Sequence, residues 1–335
     1  MQNSSFSLDF EINDGLVQTV FKERKIGNPK IGEVKVAIEY SSVNYRDLLA
    51  FKGNRAIARR FPYTPGVDFV GRILESRTND FAEGEPVALF AAGDRECFPG
   101  GWSNVSIVRA NRLIRLHERW PLECVAAVGT AGLAAASALD FVSRNCNEIS
   151  DQHKLCAVTG ATGGVGSLAC LLAAKNGFNV TAVIRNLNEA PTSMLHELGV
   201  ENVIDLKELI KGTDLYLGRQ EFDIAIDTLG GKYTTALAKK LKNGGAMGVC
   251  GLVAGQELYG LDLLPFLMRG IAMGGSGAEI ISGERRQRVL NLLSDIYLSE
   301  KLNKIYTCFS IFQIPKLLES YQISKPFGRI VIEFK

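Results

Sequence analysis

Histidine and patterned cysteine are both scarce in this chain of 335 residues, and each shortage removes a class of chemistry. Seven cysteines stand at positions 97, 124, 146, 156, 170, 250 and 308, with no CxxC pair among them. An odd, scattered set suits buried thiols in a reducing compartment better than a disulfide framework, so the expected location is the cytoplasm. The 3 histidines (117, 153 and 196) share no motif and sit in polar surroundings, which argues against histidine-based catalysis. Net charge is only +2 and pI about 8.1, too mild for a nucleic-acid partner or an anionic membrane surface. No apolar run reaches the roughly 18–20 residues that span a bilayer. Residues 1–6 show no basic segment leading into an apolar one, so neither a membrane span nor a signal peptide is expected. A soluble chain is the expectation.

Glycine is plentiful, with 34 residues, and the 46% hydrophobic and 22% charged fractions are those of a globular protein long enough for two domains. The first third reads as β-rich. Residues 33–41 alternate with a period of two, and 65–74, 85–90, 102–108 and 112–115 are further strand candidates. Residues 44–51 form a short helix, followed by a basic loop that ends at Pro62. Near Pro121 the character changes to an Ala-rich helical stretch over 123–143. Beyond it strands (155–159, 179–184, 202–204, 223–227, 246–250) alternate with helices (165–176, 192–198, 233–241). That alternation predicts an α/β fold with a doubly wound parallel sheet. A helix over 309–321 and a strand over 328–334 complete the pattern.

Residues 156–166 read Cys-Ala-Val-Thr-Gly-Ala-Thr-Gly-Gly-Val-Gly, placing Ala161, Gly163 and Gly166 on an A-x-G-x-x-G fingerprint, with Thr162, Gly164 and Val165 between them. A tight turn, a close approach to pyrophosphate and a helix packed on its strand each favour the absence of a side chain. The helix N-terminus then offers amides to the phosphates. An NAD site usually ends its second strand on an acid that binds the ribose 2′-hydroxyl. Here Ile184 runs into Arg185-Asn186, and the nearest acid is Glu189. A guanidinium there suits a 2′-phosphate, so NADPH is the expected cofactor; a surface arginine facing solvent is the plainer alternative.

Several segments in order (residues 41–47, 61–71, 128–132, 158–166, 250–252 and 265–269) resemble the zinc-free branch of the medium-chain dehydrogenase/reductase superfamily. Within it they are similar to the acrylyl-CoA reductase and quinone oxidoreductase subfamily. The resemblance covers nearly the whole chain. It implies a GroES-like catalytic domain over 1–125, completed by 305–335, and a Rossmann NADPH-binding domain over 126–304. The active site would lie in the cleft between them. It also implies a homodimer, paired through Rossmann edge strands, with 271–275 as the candidate edge. The zinc-containing relatives carry Cys where this chain has Asn44 and His where it has Val67; neither Asn nor Val is an ordinary zinc ligand, so no metal is expected.

The resemblance puts Tyr45 beside the nicotinamide, where a phenol could orient the cofactor or deliver a proton; a packed helix aromatic is the alternative. Asn44 and Asp68 are catalytic candidates that could bond each other or the nicotinamide ribose, or simply satisfy nearby backbone. Thr130 could reach the nicotinamide or cap a helix. Leu252, after the strand ending at 250, and Leu267 and Ser276, by resemblance, are further cofactor candidates. Arg329 resembles a cofactor-facing position, with a sheet-edge charge as the alternative. Lys52, Arg55, Arg59 and Arg60 put four cations in nine residues, suited to CoA phosphates or to a solvated loop. The expected activity is NADPH-dependent reduction of an activated C=C bond, acrylyl-CoA foremost. Quinone reduction and a non-catalytic NADPH-binding role are the rivals.

Overall fold

The computed structural model describes residues 4–92, 97–146, 154–188, 192–277, 283–320 and 326–334. Two compact units emerge: Met1–Thr130 together with Tyr306–Lys335, and Ala131–Ile305.

The chain opens on a hairpin that the strand reading above leaves out, β1 (Ser4–Asn13) and β2 (Leu16–Lys25), paired over its whole length. Its two-residue loop is Asp14-Gly15, both with positive φ (50° and 78°), which is the backbone that matches strand twist in a tight hairpin. Next come β3 (Glu33–Ser42), α1 (Tyr45–Phe51), β4 (Phe69–Ser76), β5 (Pro86–Leu89), β6 (Cys97–Phe98), β7 (Val105–Arg109) and β8 (Ile114–Arg115). Residues 65–68, expected within a strand, precede β4 instead and carry Asp68 on a turn. The helix α2 (Leu122–Asn145) follows, and the expected domain break at 125/126 falls inside it.

The second unit runs β9 (Leu155–Thr159), α3 (Gly164–Lys175), β10 (Asn179–Ile184), α4 (Thr192–Glu197), β11 (Val200–Asp205), α5 (Leu206–Ile210), β12 (Phe222–Asp227), α6 (Lys232–Lys240), β13 (Leu241–Val249), α7 (Leu264–Arg269), β14 (Ala272–Gly275) and α8 (Gly283–Ser294). Its sheet has the order β11-β10-β9-β12-β13-β14, parallel throughout the described residues. This is the 3-2-1-4-5-6 order of a Rossmann sheet, and the progression of strand order reverses between β9 and β12, where such sheets bind dinucleotides. The core is apolar on both faces, with Ala157, Val183, Ala225, Leu237 and Met247 in one buried cluster.

The chain then returns to the first unit through β15 (Tyr306–Ser310), α9 (Ile314–Ser320) and β16 (Arg329–Glu333). The helix expected from residue 309 therefore starts later: Phe309 and Ser310 end a strand parallel to β16, and Tyr321 lies outside the described residues. β16 pairs with β3, so the last strand completes the N-terminal sheet, in the order β15-β16-β3-β4-β5-β8, with β7 on β3 and β6 on β7. Phe10 and Trp102 meet edge to face at 5.6 Å in its core.

At 24 residues α2 is long and apolar enough to cross a membrane by length and composition, contrary to the expectation from the sequence. Its most apolar stretch is buried within the protein, as in a core helix. Gly129 interrupts it with φ 44° and ψ −149°.

Candidate functional site

In the first unit the polar candidates gather around Asp68. This carboxylate is buried and accepts from Ser42 Oγ (2.7 Å), Asn44 Nδ2 (2.9 Å) and the Thr130 amide (3.0 Å). Asn44 also donates to Ser42 Oγ (3.2 Å). Arg329 lies on β16 between β15 and β3, so the sheet-edge alternative falls away. Its buried guanidinium donates to Ala127 O (2.8 Å), Val43 O (3.0 Å) and Ser42 Oγ (2.6 Å), and stands 3.9 Å from Asp68. A charge pair out of water is tolerated when neighbouring hydrogen bonds satisfy both ions, and here they do. Gly129 makes the approach possible: a Cβ there would sit 2.6 Å from Asp68 Oδ2. The Thr130 hydroxyl accepts from the Ala91 amide (2.8 Å), so its contacts run to the loop after β5 as well as to Asp68.

Tyr45 is the first residue of α1 and is 46% exposed, which rules out a packed helix aromatic. Its hydroxyl bonds nothing among the described residues and is open to a ligand. Sequence reasoning missed Asp47, two residues on. Its buried carboxyl accepts from the Asn44 amide (2.8 Å) and the Gly66 amide (2.9 Å), tying the start of α1 to the turn that carries Asp68. Burial pushes Asp47 up from 3.8 to about 7, against the two amides, with Asp68 adding to the rise. The only sequence sign of this role is an acid at the third helical position.

Beside this network is a cavity of about 410 Å³, lined by Arg24, Arg46, Tyr63, Gly66, Val67 and Ala92 among others. Its size is that of a small-molecule site. Lys52, Arg55, Arg59 and Arg60 lie exposed on the loop after α1, Arg55 over the Phe61 ring at 5.0 Å.

In the second unit Gly160 (φ 60°) turns the chain out of β9, and a Cβ there would meet Thr228 Oγ1 at 2.4 Å. Ala161 is buried, its amide donating to Val183 O (3.3 Å), while Thr162 and Gly163 sit on the turn. Gly166 packs so closely that a Cβ would stand 2.1 Å from Gly160 O. The first amides of α3, from Gly164, Val165 and Gly166, have no preceding helix carbonyl to bond. A pyrophosphate fits this cradle: side chains are absent where it must approach, and amides are present where it needs donors.

Ile184 is buried at the end of β10; Arg185 is exposed directly after it and makes no ion pair among the described residues. Asn186 Oδ1 accepts from the Asn188 amide (3.1 Å), and Glu189 lies outside the described residues. Leu252 and Leu267 are exposed. Ser276 is buried just after β14, its hydroxyl without a partner among the described residues, a state that a bound ligand would relieve. Ser167, directly behind Gly166, likewise has a buried hydroxyl with no partner among the described residues, and was missed. The signal was a lone hydroxyl in an otherwise apolar helix. A cavity of about 430 Å³ lies at the far end of α3, around Lys175, Gly177 and Lys301, away from the glycine turn.

A GroES-like sheet closed by a C-terminal strand, and a 3-2-1-4-5-6 sheet with a glycine cradle at its switch point, define a two-domain dinucleotide oxidoreductase. Residues 30–118 match the alcohol dehydrogenase GroES-like domain and 164–295 the zinc-binding dehydrogenase family. The chain is 30% identical over 91% of both chains to the Bacillus subtilis protein YhfP, a quinone oxidoreductase by name. It is 28% identical over 97% of both to the acrylyl-CoA reductase AcuI of Ruegeria pomeroyi. The yhdH oxidoreductase of Salmonella enterica, solved in complex with NADP, superposes with a TM-score of 0.89 at 28% identity, covering 98% of this chain and 100% of that one. The structure of YhfP, with NAD bound, gives 0.89 at 27% identity, covering 99% and 100%. The chain belongs to the medium-chain dehydrogenase/reductase superfamily, with acrylyl-CoA reductases and quinone oxidoreductases among its relatives.

The zinc named in the second family description does not fit the side chains present. Among the described residues no group of three or more His, Cys, Asp or Glu side chains is placed to hold a metal. Asn44 is bonded to Ser42 and Asp68, and Val67 is apolar.

Proposed function

We propose that this oxidoreductase uses NADPH to reduce the C=C bond of a 2-enoyl thioester, with acrylyl-CoA as its leading substrate. The observation that carries the reading is the Asn44–Asp68–Arg329 network: Asn44, which by resemblance stands where zinc-containing relatives carry a ligand, has its amide committed to a carboxylate. Oxidation of an alcohol through its alkoxide draws its usual support in this superfamily from a Lewis acid. A polarised alkene needs only a hydride at its β carbon and a proton at its α carbon.

NADPH, when bound, supplies the hydride. The amides of Gly164, Val165 and Gly166 would receive its pyrophosphate, and Arg185 its 2′-phosphate. Leu252 and Leu267 would cover it, and the Ser276 hydroxyl would bond it. The Tyr45 hydroxyl would orient the reacting carbons or donate the proton that quenches the enolate. Asn44 and Thr130, pinned by Asp68, hold the start of α1 and the Tyr45 backbone in place. The cavity beside Arg46 is large enough for a short acyl group, and Lys52, Arg55, Arg59 and Arg60 suit CoA phosphates. The Rossmann edge strand β14 would pair with its copy in a homodimer.

Quinone reduction is the second reading, favoured by the relationship to YhfP. NADPH consumption with acrylyl-CoA, crotonyl-CoA and a benzoquinone, run beside NADH, decides between them. Acrylyl-CoA with NADPH is expected to give the highest kcat/KM. Higher values with the quinone favour the second reading, and NADPH binding without turnover of any acceptor means a non-catalytic role. Arg185→Ser should cut the NADPH/NADH preference at least tenfold, and an unchanged preference removes Arg185 from the site.

A further inference from the structure

Asp227 ends β12 at the switch point of the Rossmann sheet and is completely buried, yet no lysine or arginine pairs with it among the described residues. A carboxylate held in this way must be satisfied by neutral donors or it destabilises the fold. Four groups provide them. Thr159 Oγ1 donates at 2.6 Å and the Leu229 amide at 3.0 Å, both to Oδ1. The Gly230 amide donates to both oxygens (3.3 and 3.2 Å), and Thr234 Oγ1 donates to Oδ2.

These donors come from a strand end, a loop and a helix. Thr159 is the last residue of β9, immediately before the Gly160 turn, and it also accepts the Thr228 amide at 2.9 Å. Thr228 Oγ1 donates back to Thr159 O at 2.8 Å. Leu229 and Gly230 form the loop after β12, and Thr234 lies in the first turn of α6. The loop after β13 joins the same knot: the Cys250 amide donates to Asp227 O (2.8 Å) and Ala254 to Leu229 O (2.8 Å). Contacts here leave no slack. A Cβ on Gly251 would stand 2.0 Å from Thr228 O, and one on Gly230 2.3 Å from Gly255 O.

We propose that Asp227 is a positioning residue for the dinucleotide, fixing the spacing between the glycine turn after β9 and the loop that carries Leu252. The inference rests on the reading that residues 160–166 hold the cofactor pyrophosphate. A carboxylate suits the site because the Leu229 and Gly230 amides can only donate, and the Thr159 hydroxyl, already accepting from the Thr228 amide, donates as well. Asparagine has the same shape but a single acceptor oxygen, and its amino group would face the Gly230 amide, which cannot accept, while the Thr234 hydroxyl would have to turn to receive it. The turn would then lose its register with the β13 loop, at the point where small misplacements are felt most by a bound ligand.

The test is NADPH affinity of the purified full-length chain by fluorescence titration, alongside melting temperature and steady-state KM and kcat. Asp227→Asn should raise the NADPH Kd and KM at least tenfold, with a smaller fall in kcat. Thr159→Val should raise Kd at least fivefold and Thr159→Ser restore it to within twofold, a pair that decides the matter if Asp227→Asn does not fold. A lowered melting temperature with Kd unchanged in Asp227→Asn, or in Thr159→Val, overturns the proposal, since a purely structural role moves only stability. Wild-type protein that binds neither NADPH nor NADH overturns the cofactor reading itself. That result is distinct from normal wild-type affinity with unaffected variants.

Discussion

A buried carboxyl with a value of about 7 gives Asp47 a measurable signature in stability. Its folded value lies above the 3.8 of an exposed group, so between about pH 4 and 7 the folded protein keeps a proton that the unfolded chain releases. The Asp47 contribution to stability therefore falls as pH rises through that window, by up to about 1.4 kcal/mol per pH unit, and levels off above it. Urea unfolding of wild type and Asp47→Asn at pH 5 and pH 8 should show a smaller loss on raising pH in the variant; equal losses would mean that the carboxyl does not titrate in this range. Tyr45 gives the matching kinetic prediction. Tyr45→Phe should lower kcat about tenfold or more, since general acids contribute on that scale or above. A wild-type kcat from pH 6 to 9 would assign the proton to solvent. Asn44 and Asp68 were legible as candidates because polar side chains stood in short apolar contexts. The partners of Asp47 and Arg329 were not, because Gly66 and Ala127 reach them only through the fold.

Elements whose periodicity agrees with their burial were readable, and those whose partners are distant were not. β9, α3 and β10 match their expected spans because a glycine turn separates an apolar strand from an apolar helix. β15 does not, since its strand character comes from pairing with β16 rather than from its own alternation. The hairpin β1–β2 carried its own signal, Asp14-Gly15 between alternating runs. In α2 the composition announced a helix but hid its break at Gly129, where φ 44° and ψ −149° belong to a region reserved for glycine. Gly129→Ala should destabilise by about 2 kcal/mol or more, combining backbone strain with the 2.6 Å overlap on Asp68 Oδ2. It should also lower activity, because the Thr130 amide that reaches Asp68 follows directly. An unchanged urea midpoint would mean that the helix accommodates a side chain there.

At the scale of the whole molecule, alternation of strands and helices sufficed for a doubly wound sheet, but not for which strands lie at its margins. The 3-2-1-4-5-6 order leaves β14 at one edge, Ala-Met-Gly-Gly, with no charged side chain. Such an edge presents unpaired amides and carbonyls with nothing to repel a second strand. Two copies meeting there about a twofold axis would join their sheets into one continuous sheet, a self-complementary contact that closes at two. Light scattering should accordingly give about 73 kDa, twice the 36.5 kDa of the chain. Gly275→Lys tests the edge selectively, because a Cβ at Gly275 meets nothing within 4 Å among the described residues. Lysine on an exposed edge opposes strand pairing, so the variant should run near the monomer mass with an unchanged melting profile at low concentration. A dimer that survives Gly275→Lys would move the interface off β14. A wild-type monomer at micromolar concentration would mean that the Ala-Met-Gly-Gly edge stays unpaired through its own brevity, the other way in which sheets tolerate an exposed margin.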